Sequence, residues 1–90
     1  MPEDTVILRN VNWNRVKVEA RKGNAGNIES NPPVSGSPKT LQRDEDWVIR
    51  SNAEDVYYRR DTDPDHPTGE MSVWTHRPCY GNGETYEEEI

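Results

Sequence analysis

Apolar residues return at every second position in several short stretches of this chain, a spacing that predicts strands and not helices. Over residues 14–21, Val16, Val18 and Ala20 alternate with Arg15, Lys17, Glu19 and Arg21. This is the pattern of a pleated segment with one dry face and one wet face. Residues 5–9, centred on Ile7, give a shorter strand, and the asparagines around Trp13 supply turn chemistry after it. Residues 40–42 begin another strand, Asp44, Glu45 and Asp46 form a charged turn, and residues 47–50 form a compact apolar strand that starts at Trp47. The Ser51-Asn52-Ala53-Glu54 segment has the form of a helix-capping box. Val56, Tyr57 and Tyr58 favour extended backbone, however, and Pro64 leaves too little length for a stable helix. A tight turn followed by a strand is therefore predicted there. Residues 71–76, carrying Trp74, read as the last strand. Residues 81–90 are expected to form a flexible acidic tail beyond a single β domain spanning 1–80.

Between residues 22 and 38 the alternation stops. Twelve of these seventeen positions are Gly, Asn, Ser or Pro, so a long loop is expected. Five to six short strands separated by turns suggest an all-β fold, a small single-domain antiparallel sandwich or barrel.

Composition sharpens this picture. Of 90 residues, 30% are hydrophobic and 31% charged, with no Phe and a net charge of -6. Such a chain sits near the compositional border of disorder. Three Trp and four Tyr decide for order, because large rings bury the most surface per residue. At least two of the three tryptophans are expected in the core, in place of the missing Leu and Phe. A thin core of this kind leans on a staple or on a second subunit, so a homo-oligomer is an expected partner state. Cys79 is the only cysteine, which excludes an internal disulfide. With no signal-peptide pattern and no Asn-x-Ser/Thr acceptor, it favours the cytoplasm. No apolar run is long enough to span a bilayer as a helix.

Charge is unevenly distributed. Residues 1–43 hold seven Lys/Arg against four Asp/Glu, and residues 44–90 hold four against thirteen. An acidic chain is a poor ligand for duplex nucleic acid, whose affinity rests on phosphate contacts. The two halves are expected to neutralise one another across paired strands.

Two groups of residues carry candidate chemistry. Asp61, Asp63 and Asp65 alternate inside a loop rich in Pro and Gly, and three carboxylates at this spacing can converge on a hard cation such as calcium. The EF-hand pattern is broken, because its glycine position holds His66. Asp side chains capping a solvated hairpin loop explain the same residues. His66, His76 and Cys79 match no zinc-finger spacing. The second group is aromatic: Tyr57 alternates with Arg59, and Trp74 with His76, which places them on outward faces suited to binding a protein or a sugar. There is no Gly-rich phosphate loop and no nucleophile elbow. The sequence thus points to a non-catalytic binding module for a protein or carbohydrate partner. The alternative is a lectin-like carbohydrate-binding domain that uses Tyr57, Arg59, Trp74 and the loop of Asp61, Asp63 and Asp65, with or without calcium as a cofactor.

Overall fold

The computed structural model describes residues 2–90 and is all-β, with two sheets. Its strands are β1 (Asp4–Arg9), β2 (Arg15–Gly23), β3 (Lys39–Gln42), β4 (Asp46–Ser51), β5 (Asp55–Arg60), β6 (Thr75–Arg77) and β7 (Thr85–Glu89). One sheet has the order β4-β1-β7 and the other β3-β2-β5-β6. Small sandwiches of this kind bury one face of each sheet and leave the other wet.

Period-two patterning explains which faces meet. Val6 and Leu8 of β1, Trp47 and Ile49 of β4, Val16, Val18 and Ala20 of β2, Leu41 of β3, and Val56 and Tyr58 of β5 form one buried cluster. Trp13 packs against its margin. Trp47 and Trp13 thus take the place of missing aliphatics, while Trp74 stands outside the cluster. Charge pairing joins the two halves of the chain: Arg9 grips Asp46 through two hydrogen bonds of 2.6 and 3.0 Å. That hydrogen bond holds the Asp46 carboxyl below the usual carboxylate range, against the opposing effect of burial.

Several sequence expectations are corrected. The described residues form seven strands, and the pairing is not wholly antiparallel, because β1 runs parallel to β7. The expected last strand shrinks to Thr75–Arg77, so Trp74 lies just before it. The expected loop is shorter, since Lys22 and Gly23 extend β2. Within it, residues 28–30 make a single 3-10 turn, and Pro33 bridges back to Arg21. The largest correction concerns the expected acidic tail. Residues 85–89 form β7 against β1, and the Ile90 side chain is buried in the core.

What recruits so acidic a segment into the fold is a buried carboxylate at the other end of the chain. Asp4 is fully enclosed. Its Oδ2 accepts the backbone N–H of Gly81 at 2.7 Å, and its Oδ1 accepts those of Asn82 and Glu84 at 3.0 and 2.9 Å. Gly81 and Gly83, each at φ 74°, give the chain the left-handed kinks that aim the N–H groups of Gly81, Asn82 and Glu84 at one point. Thr5 N–H then donates to Glu84 O, and Ile90 N–H to Arg9 O, which sets the parallel register. Half-buried on the inward side of β7, Glu88 lies 3.7 Å from Arg77, whose guanidinium also sits 4.3 Å from the Tyr86 ring centre. These contacts absorb a charge that an apolar pattern would not have placed inward.

The turn between β4 and β5 is closed by Ser51, whose Oγ accepts Glu54 N–H at 3.0 Å and donates to Glu54 O. This confirms the predicted tight turn at the place where a helix cap also fitted. Ala53 sits there at φ 60°, a left-handed conformation that costs a non-glycine residue about 1–2 kcal/mol. Ala53→Gly is therefore expected to raise stability by about 0.5–1 kcal/mol, after subtraction of the extra unfolded-state entropy of glycine. Urea unfolding checks this, and an unchanged or lowered midpoint would contradict it.

A second expectation follows from Asp4. Burial pushes its carboxyl up, but the N–H donors of Gly81, Glu84 and Asn82 outweigh burial and hold it below the ordinary value. A depressed folded-state value contributes stability that is complete above the unfolded pKa of about 3.9 and is lost as pH falls through the folded one. The melting-point difference between the wild type and Asp4→Asn should accordingly be constant at neutral pH and shrink in acid. A gap independent of pH would remove the carboxylate from its assigned role.

Candidate functional site

The outer face of the four-stranded sheet carries an ordered set of rings and charges. On β5 the inward residues Val56 and Tyr58 are buried, so Tyr57 and Arg59 turn outward. Tyr57 lies opposite His76 of β6 and Arg21 of β2, and Arg59 lies opposite Glu19. Cross-strand neighbours on one face touch, and here they interlock.

Two linked rows result. In the first, the Arg59 guanidinium lies 4.3 Å from the Trp74 ring centre, and its Nε donates to Glu19 Oε1 at 2.7 Å. Arg21 completes this row, 3.6 Å from the other Glu19 oxygen. In the second, the rings of Tyr57 and His76 stack with centres 4.6 Å apart and planes 9° apart. His76 Nε2 lies 2.8 Å from Asp55 Oδ2, while Asp55 Oδ1 accepts Cys79 N–H at 3.3 Å. Each ring is thus fixed in orientation by a partner that is itself held. A site preorganised in this way loses little side-chain entropy on binding.

The sequence-predicted residues divide into two groups. Tyr57, Arg59 and Trp74 share this face, as their alternation implied. The three aspartates do not converge. Asp61 is buried and its Oδ1 caps the backbone N–H of Asp63 at 2.9 Å. Asp63 Oδ1 in turn accepts the N–H of His66 at 3.3 Å, and Asp65 lies exposed. Among the described residues, no group of three or more His, Cys, Asp or Glu side chains is gathered to hold a metal ion. The loop follows the solvated-hairpin alternative, with carboxylates used as caps.

His76, Glu19 and Asp55 are members of the site that the sequence reading did not assign. The signal for His76 was its two-residue spacing from Trp74. Glu19 and Asp55 enter only through register, which single-strand patterning does not contain.

Two shallow grooves flank the face. One, of about 230 Å³, runs between Arg15, Lys17 and Thr40 and the loop residues Pro64 and Pro67, with Asp61 in its wall. The other, of about 290 Å³, lies between Tyr58, Arg60 and Ser72 on one side and Glu89 and Ile90 on the other. At its margin Arg60 stacks on Trp13, 5.0 Å from the ring centre. Tyr58 is pushed up to about 12 by burial, with help from Glu88, and so stays a neutral phenol. Burial, with Asp4 nearby, also pushes the Cys79 thiol up, the opposite of what a thiolate nucleophile needs.

Compared with known proteins, the chain matches no protein-family model, no curated protein and no solved structure. Among the described residues, no helix is long and apolar enough to cross a membrane.

The separation of the three aspartates has a direct consequence. A ligand bound to the native state raises the melting point, so equal melting curves in saturating calcium and in chelator are expected. A clear upward shift with calcium would mean that the loop rearranges to bind the ion.

Proposed function

We propose that this protein is a small non-catalytic binding module whose contact surface is the outer face of the four-stranded sheet, centred on Tyr57, Arg59, Trp74 and His76. The observation that carries this reading is the pair of interlocked rows, Trp74–Arg59–Glu19 and Tyr57–His76–Asp55. Trp, Tyr and Arg are the residue types that dominate binding energy at protein interfaces. Here Tyr57 and Arg59 stand on β5 and His76 on β6, with Trp74 immediately before β6.

A protein partner suits this surface better than a sugar. Carbohydrate recognition stacks sugars on aromatic faces, and Arg59 covers one side of Trp74 while His76 covers one side of Tyr57, which leaves each ring a single face for stacking. Guanidinium, imidazole and carboxylate groups between the rings instead offer hydrogen bonds to peptide groups and charged side chains. The lectin-like reading also loses the support that it drew from a calcium loop. A non-catalytic role fits a buried thiol whose pKa is raised and grooves smaller than the several hundred Å³ usual for small-molecule sites.

The test is affinity capture from a homogenate of the source cell with the immobilised full chain. A specific partner retained by the wild type should be lost with Tyr57→Ala/Trp74→Ala. It should persist with Glu87→Gln, which alters the opposite sheet. Loss of an anchor pair of this kind is expected to cost about 2–4 kcal/mol of binding. Capture that is indifferent to both rings, or binding of defined glycans on an array, would overturn the assignment.

A further inference from the structure

The three-stranded sheet ends on two edges, β4 and β7, whose charge patterns differ in kind. Within β1, Thr5 N–H donates to Glu84 O, and Arg9 O accepts from Ile90 N–H. The odd-numbered residues of β1 therefore turn their backbone groups toward β7 and the even-numbered ones toward β4. Ser51, Ile49 and Trp47 are then the bonded partners of Asp4, Val6 and Leu8. Asp46, Val48 and Arg50 point their N–H and C=O groups away from the sheet. Among the described residues, no backbone group pairs with Val48 on that side. Their side chains are also exposed, and Val48 is an apolar residue left 50% accessible.

We propose that the β4 edge pairs antiparallel with the β4 edge of a second copy of this chain, about a two-fold axis through Val48. The strand is self-complementary around that point. The axis sets Val48 against the partner's Val48, each donating its N–H to the other's carbonyl, and sets Asp46 against the partner's Arg50 at both ends. Asp46 is already oriented by Arg9 at 2.6 Å. Arg50 O accepts from Lys22 Nζ at 2.8 Å and keeps a second lone pair for the partner's N–H. On the outer face, Ile7 lies beside Val48, so an apolar row crosses the seam.

The other edge shows why β4 is selected. β7 carries Glu87, Glu88 and Glu89 in succession, and an antiparallel copy there would set carboxylate against carboxylate. Such like charge protects an edge strand from pairing. Balanced charge around a central valine does the reverse.

Sedimentation equilibrium of the full chain tests this, at concentrations up to about 1 mM, the range in which weak edge pairing is populated. The wild type is expected to form a reversible dimer of twice 10.4 kDa. Val48→Pro should abolish it without disturbing the β1 ladder, because the N–H removed faces solvent in the monomer. Arg50→Asp and Asp46→Arg, each confirmed as folded by melting, should each weaken association more than about tenfold, the loss expected when opposed charges become like charges at both ends of the seam. An equal mixture of the two should restore dimers, since each then faces its complement. A wild type monomeric throughout, a dimer untouched by Val48→Pro and Arg50→Asp, or a monomer that takes an unrelated extended peptide on this edge would each overturn the proposal.

Discussion

One buried carboxylate ties the two ends of this chain together. Asp4 opens the first strand, and its two oxygens accept three backbone N–H groups from the turn that leads into the last. Without that carboxylate group, the N–H groups of Gly81, Asn82 and Glu84 would converge on nothing, and unpartnered converging donors are costly. With it, the turn is set and Thr5 can receive β7 in register. Tyr86 and Ile90 then reach the core, and Glu88 reaches Arg77. A thin apolar core is thereby closed by a strand that its own composition would not have recruited.

The outer face of the four-stranded sheet depends on the same closure. Tyr57 and Arg59 are fixed outward because Val56 and Tyr58 are fixed inward, and Tyr58 lies in the electrostatic reach of Glu88 on β7. Arg77 belongs to β6, the strand that presents His76 to Tyr57, and it is held from below by Tyr86 and Glu88. The proposed contact surface needs a rigid support to keep its rings preorganised, and that support runs from the site through β6 to β7 and back to Asp4.

Most of the fold was legible in the sequence wherever one face of a strand is apolar. Val16, Val18 and Ala20 announced β2, and Trp47 with Ile49 announced β4, because burial on one face imposes a period of two. The same rule hid β7. Its inward residues are Tyr86 and Glu88, with Ile90 just after it, and a glutamate satisfied by a distant arginine breaks the apolar alternation that a reader looks for. The site was legible to the same degree. Tyr57, Arg59 and Trp74 follow from alternation within their own segments, whereas Glu19 and Asp55 join them only through inter-strand register. The aspartate run misled for a related reason: carboxylates that cap their own backbone and carboxylates that gather a cation share one sequence pattern.

Amide hydrogen exchange over the last ten residues reads the closure directly. With β7 in place, the amides of Tyr86, Glu88 and Ile90, which face β1, should exchange at rates near those of the core strands, and Asp4→Asn should accelerate them before it accelerates those of Val16 or Val18. Exchange at these three positions as fast as in an unstructured peptide, in the unmodified chain at neutral pH, would contradict it.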